Sequence, residues 1–188
     1  MVRDELIATR DGVLRLLRAH AAGGLEPHES AMTAATIAFV ETHPNCAERS
    51  LEVGHLTGSA WIVDTTRTRV LLTHHRKLGK WLQLGGHADG DLDLPAVAFR
   101  EAREESGLNR LKFLSPQLFD VDRHLIPARK SEPAHWHYDL RFLMEGVSDE
   151  PLIISNESKA LSWAEISCIE NLTTEESILR MVRKTPRN

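Results

Sequence analysis

No stretch of this chain approaches the roughly 20 consecutive apolar residues that span a bilayer, and no secretory leader is visible. The first twenty residues carry Arg3, Asp4, Glu5, Arg10, Asp11, Arg15 and Arg18, which interrupt any apolar run. Cysteine is almost missing. Cys46 and Cys168 stand far apart, in neither a CxxC nor a disulfide-rich pattern, as expected of two reduced thiols. A soluble, cytoplasmic protein with no membrane partner is therefore expected. Positive charge is not in excess either. With 27 acidic and 23 basic side chains the formal net charge is -4, which argues against a stable nucleic-acid partner. A locally basic pocket for a small phosphorylated ligand is still compatible with that balance. Internal repeats and low-complexity tracts are absent.

What is present suffices for a packed core: 188 residues, of which 41% are hydrophobic and 27% charged. Leu6, Val13, Leu14 and Leu17 recur at helical spacing and predict a helix over 3–21, stopped by Gly23-Gly24. A second helix over 29–42 rests on Met32, Thr36, Phe39 and Val40 and ends at His43-Pro44. Residues 1–50 are thus expected to form an N-terminal helical hairpin ahead of a main domain at 51–188. There, short apolar or β-branched runs predict strands at 56–64, 69–74, 81–84, 112–123, 135–145 and 160–163. Helices are expected at 94–106 and 174–183, the latter started by Thr173, Thr174, Glu175 and Glu176. The order of elements implies an α/β protein of the α+β type, a mixed sheet sandwiched between helices.

The chemistry concentrates between Gly85 and Leu108. On a helix, Glu101, Glu104 and Glu105 fall at i, i+3 and i+4 and share one face. Pro95, Ala98, Phe99 and Ala102 form a different, apolar face. Three acids so close repel one another unless a cation sits among them, and hard oxygen ligands suit Mg²⁺, which keeps waters and substrate phosphates as its other ligands. A tight turn at Gly85-Gly86 would bring a backbone carbonyl to the same ion. A solvated helix face offset by Arg100 and Arg103 is the plainer alternative.

The spacing of Gly86, Arg100, Glu101, Ala102, Glu104, Glu105, Gly107 and Leu108 resembles the box of the Nudix hydrolase family over 23 residues. The resemblance implies an α/β/α sandwich and a divalent cation, Mg²⁺ with Mn²⁺ as the alternative. It implies hydrolysis of the diphosphate in a nucleoside diphosphate linked to another moiety, with Glu101, Glu104, Glu105 and Arg100 as catalytic residues. The cation would be held by Glu101, Glu104, Glu105 and Gly85. One position departs: the family's first glutamate is Leu92 here, flanked by Asp91 and Asp93, either of which is a candidate partner for Arg100. Candidates for a general base are Glu157, Asp120 and Asp122.

Candidate substrate contacts lie outside that helix. His87 follows the glycine pair. Arg76 belongs to a basic loop with His74, His75, Lys77 and Lys80, and Arg123 to a cluster with His124, Arg129 and Lys130. On a strand, His135, His137 and Asp139 point to one face and are expected to contact substrate, to hold a transition metal, or simply to pack. Trp81, Trp136 and Tyr138 are candidates to stack on a base, and a homodimer is the candidate oligomer. An isopentenyl-diphosphate isomerase, of similar fold, would need a cysteine near the metal, and Leu84-Gly85-Gly86-His87 has none. A non-catalytic nucleotide-binding module finds support only in Leu92.

Overall fold

The computed structural model describes residues 8–128, 132–156 and 158–187. Two helices, α1 (Arg10–Ala21) and α2 (Pro27–Thr42), precede β1 (Gly54–Asp64), β2 (Arg69–His75), β3 (Trp81–Leu82) and β4 (Leu84–His87). Helix α3 (Leu94–Ser106) leads to β5 (Leu111–Phe113), β6 (Asp120–Ile126), β7 (His135–Gly146) and β8 (Ser158–Glu165). A 3₁₀ turn (Ile166–Asn171) and α4 (Glu176–Lys184) follow. Among the described residues no helix is long and apolar enough to cross a membrane.

All eight strands belong to one mixed sheet, with β1 and β7 side by side at its centre. They run parallel in register from Gly54↔Trp136 to Asp64↔Gly146, while the other pairings are antiparallel. Each central strand is forked at its outer edge: β1 pairs with β2 near its end and with β4 earlier, and β7 likewise with β5 and β6. β1 is buried at every residue, as a strand covered on both faces should be.

Side-chain alternation divides the interior into two cores. Leu56, Ala60 and Ile62 of β1 and Tyr138, Leu140 and Phe142 of β7 pack with α1, α2 and α3 through Val13, Leu17, Phe39, Val40, Leu94 and Ala98. The alternate residues Trp61, Val63 and Leu143 pack with Ile169, Ile178 and Met181 on the opposite face. The result is the expected α/β/α sandwich, with the first two helices sharing the core of the sheet.

Several elements differ from expectation in extent. The first helix begins at Arg10 within the described residues, and the strand expected over 112–123 is two strands, β5 and β6, separated at 114–119 around Pro116. Gly85-Gly86 is no turn. It lies within β4, paired to Ser59 and Gly58 of β1. Before α4 the Thr173 hydroxyl accepts the Glu175 N–H at 3.2 Å and Glu176 lies in the first turn as expected, but the N-cap position is Glu175, which makes no side-chain capping hydrogen bond.

Helix α3 is bounded by local chemistry. The Asp93 side chain accepts the Ala96 N–H at 3.2 Å, Pro95 sits in the first turn, and Gly107 closes the end at φ 75°, its N–H bonded to the Arg103 carbonyl. Asp93→Ala should therefore lower stability by about 1 kcal/mol, measured by urea denaturation.

An ionic knot joins layers that are remote in sequence. Asp120 of β6, wholly buried, accepts from Arg141 of β7 at 3.0 Å and from Arg180 and Lys184 of α4 at 2.8–3.0 Å. Lys184 also reaches Glu29 of α2, which holds His20 of α1 at 2.7 Å.

Candidate functional site

The three acids of α3 occupy different surroundings on one helix face. Glu105 is buried and its Oε2 accepts the Gly85 N–H at 2.9 Å. Glu101 is half-buried: its carboxyl lies against Gly86, where any Cβ would be driven into it, and its Oε1 accepts from Arg100 Nη2 at 3.1 Å. A larger residue at 86 would have to push that carboxyl aside. Glu104 is exposed. The β4 strand and α3 are thus stitched together through Glu105 and fitted together at Glu101.

Arg100 also reaches the His87 carbonyl at 3.4 Å. Neither flanking aspartate takes the place of the missing glutamate at 92. Asp91 accepts the Asp93 N–H and Asp93 caps α3, while Leu92 packs against the larger core. Arg100 pairs with Glu101 instead.

Mg²⁺ is satisfied by one or two carboxylates plus waters and substrate phosphates. An exposed Glu104 one turn from a glycine-cradled Glu101 and an anchored Glu105 fits that requirement in donor chemistry. The acids remain spread along the helix rather than gathered to one point. Among the described residues, the one set of three His, Cys, Asp or Glu side chains whose ligand atoms lie within 4.8 Å of one another is His55, His135 and His137.

The sequence-derived contact residues scatter. His135 and His137 of β7 meet as expected of alternate strand residues, their Nε2 atoms 3.3 Å apart. Asp139 shares their face but is taken up by the fold. Oδ1 accepts from Thr57 and Ser59, Oδ2 from Gln83 and Arg141, all within 2.9 Å, so its four lone-pair positions are filled. Arg76 donates to the carbonyls of Asn156 and Ser158, and Lys80 pairs with Glu175, so this basic loop is tied to β8 and α4. Arg123 lies on the opposite face from His137, with its guanidinium 4.3 Å from the Trp136 ring. Trp81 stacks on His74 at 5.1 Å, and Tyr138 on Phe39 at 3.9 Å, which turns both toward packing.

Of the base candidates, Asp120 belongs to the ionic knot. Burial alone would raise its pKa, but the Arg180 hydrogen bond and the charges of Arg141 and Lys184 hold it far below the usual carboxylate range. A carboxylate so held is a poor proton acceptor near neutrality. Asp122 sits 3.6 Å from Arg141 and 3.5 Å from Arg180. Glu157 lies outside the described residues, as do Arg129 and Lys130.

His55 escaped the sequence reading. It faces His137 across the parallel β1–β7 register, a pairing between residues 82 positions apart that no local pattern signals. Burial, followed by the nearby His87 and His135, lowers its pKa to about 4, and burial with four surrounding histidines depresses His137 as well. Both imidazoles are neutral at neutral pH.

A cavity of about 1100 Å³ runs along α3. Phe99, Leu111 and Phe113 line it, with Arg100 and Glu104 also in its wall.

A family model described as NUDIX domain matches residues 55–184. Among curated proteins, none matches the sequence. Among solved structures, a NUDIX-family hydrolase from Clostridium perfringens is 28% identical. That match covers 70% of this chain and 95% of the other, with a TM-score of 0.53. An Ap4A hydrolase from C. elegans, in a binary complex, is 16% identical over 69% of this chain and 93% of its own, with a TM-score of 0.56. The NUDIX domain of Shewanella oneidensis NrtR complexed with ADP ribose is 14% identical over 88% and 94%, with a TM-score of 0.51. At such identities the last two speak for the fold alone.

Proposed function

The chain belongs to the Nudix family and is an enzyme of the pyrophosphohydrolase kind, and from that premise we propose that it cleaves the diphosphate of a nucleoside diphosphate linked to another moiety. The cation is Mg²⁺, with Mn²⁺ as the alternative, held by Glu101, Glu104 and Glu105 with the Gly85 carbonyl. One observation carries this reading: the Gly85-Gly86 strand is laid against Glu101 and Glu105, which leaves Glu104 exposed on the same helix face.

A divalent cation in such a site neutralises diphosphate charge and makes water a better nucleophile near neutral pH. The residues of the chain supply position. The Gly85 N–H fixes Glu105, Arg100 and Gly86 together fix Glu101, and Glu104 is left free to swing toward ion or proton. His87, next after the glycine pair, carries its ring beside His55 and His137, on the face of the sheet away from α3. Asp139, with every lone pair used, is left out as a substrate contact.

A panel of nucleoside triphosphates, dinucleoside polyphosphates, nucleotide sugars, ADP-ribose and coenzyme A, each with Mg²⁺ or Mn²⁺, tests the reading. At least one should yield two phosphate-bearing products only when the cation is added, and failure of every compound would overturn it. Gly86→Ala should lower that rate about 100-fold, since a displacement of about 1 Å at a catalytic group has that scale. The variant's initial rate against wild type is the check.

A further inference from the structure

We propose that His55, His135 and His137 form a transition-metal site, of the kind that takes Zn²⁺, on the sheet face away from α3 and separate from the carboxylates. Side-chain alternation sets the face: Gly58 of β1 abuts Leu94 and Val97 of α3, so His55 projects to the other side, where His135 and His137 also project. Imidazole nitrogen is a preferred ligand of zinc and its transition-metal neighbours, whereas Mg²⁺ favours oxygen.

Three features fit this chemistry. The first is spacing. Two nitrogens bound to a tetrahedral ion at about 2.0–2.1 Å lie about 3.3 Å apart, and Nε2 of His135 lies 3.3 Å from Nε2 of His137. His55 offers a nitrogen within 4.8 Å of both. Second, His135 is oriented as a ligand. Its Nδ1 lies 2.9 Å from the Pro133 carbonyl, so the proton resides there and Nε2 presents its lone pair to the cluster. Third, His55 is 98% buried by surface, yet neither of its ring nitrogens has a hydrogen-bond partner. Buried polar atoms are rarely left so, and an ion is a standard resolution.

Further imidazoles surround the three. The His87 ring lies 5.1 Å from that of His55 and 4.9 Å from that of His137, and His124 lies 5.4 Å from His137. His87 is the nearest candidate for a fourth ligand, and water is its competitor, as in open three-histidine zinc sites. A cavity of about 190 Å³, lined by Arg49, Glu52, Glu132, His55 and His135, gives an ion a path to the cluster. Asp139, the third member expected from strand alternation, is no ligand because its oxygens are already engaged.

The test is Zn²⁺ binding to the full chain by competition with a chromophoric chelator, with excess Mg²⁺ present to occupy the carboxylates. Wild type should bind one Zn²⁺ under these conditions. His55→Asn and His137→Asn should lower the affinity by at least on the order of ten- to a hundredfold. Glu104→Gln should bind Zn²⁺ as wild type does, which separates this site from that of the proposed hydrolase. Should either inner variant fail to fold, His135→Asn at the rim of the cluster takes its place. Zn²⁺ should then raise the melting temperature of wild type but not that of His135→Asn. No Zn²⁺ bound by wild type, or equal binding by the histidine variants, would overturn the proposal.

Discussion

Glu104→Gln should reduce turnover of the chain's diphosphate substrate by about 10²–10⁴-fold while leaving the melting temperature unchanged. The size follows from the several kcal/mol that a cation contributes to transition-state charge neutralisation, at about 1.4 kcal/mol per tenfold in rate. The specificity follows from exposure. Glu105 and Glu101 are engaged with β4, so replacing them disturbs the helix–strand fit together with any ion. Glu104 stands in solvent, and an exposed Glu→Gln exchange on a helix changes stability by less than about 0.5 kcal/mol. Initial rates and a thermal melt on the same preparation decide the matter. A normal rate would mean that other carboxylates hold the cation.

The second large effect is on stability. Asp120→Ala should cost about 3–5 kcal/mol, because it leaves Arg141 and Arg180, exposed by 2% and 0% of their side-chain surface, short of a counter-charge in a buried setting. The same group makes a pH statement. Its basic neighbours depress the Asp120 pKa in the folded state, so its contribution is complete above the unfolded value of about 3.9 and fades as the pH falls below it. Wild type should therefore lose stability steeply on the acid side, and Asp120→Ala less steeply. Urea titrations of both proteins near neutral pH and near pH 3 check the sign and the size. Parallel acid losses in the two would remove Asp120 from the account.

How much of this was legible beforehand depended on the range of each interaction. Helix α3 was readable to the residue, because Asp93, Pro95 and Gly107 act within one turn of its ends and its apolar face repeats at helical spacing. The sandwich followed from the order of elements. Gly85-Gly86 misled because paired glycines read locally as a turn; what makes them a strand is β1 alongside and Glu105 accepting the Gly85 N–H, neither of which is local. The split of β5 from β6 was foreshadowed by Pro116, since proline cannot donate within a ladder.

Alternation correctly placed His135, His137 and Asp139 on one face, but it could not separate them. Thr57, Ser59, Gln83 and Arg141 converge on Asp139 from two strands and the short connection at 83, while His55, His87 and His124 arrive beside His137. The parallel register that does this joins residues 80 or more positions apart. The same holds for the ionic knot, where Glu29 and Lys184 meet across 155 positions.

Anomalous diffraction from crystals soaked in Mn²⁺ with a non-hydrolysable nucleoside diphosphate analogue addresses the central claim most directly. A manganese peak is expected beside α3, within coordination distance of Glu104 and of at least one of Glu101 and Glu105, with analogue phosphate oxygens completing its shell. A peak confined to other side chains, or none at all beside α3, would contradict it.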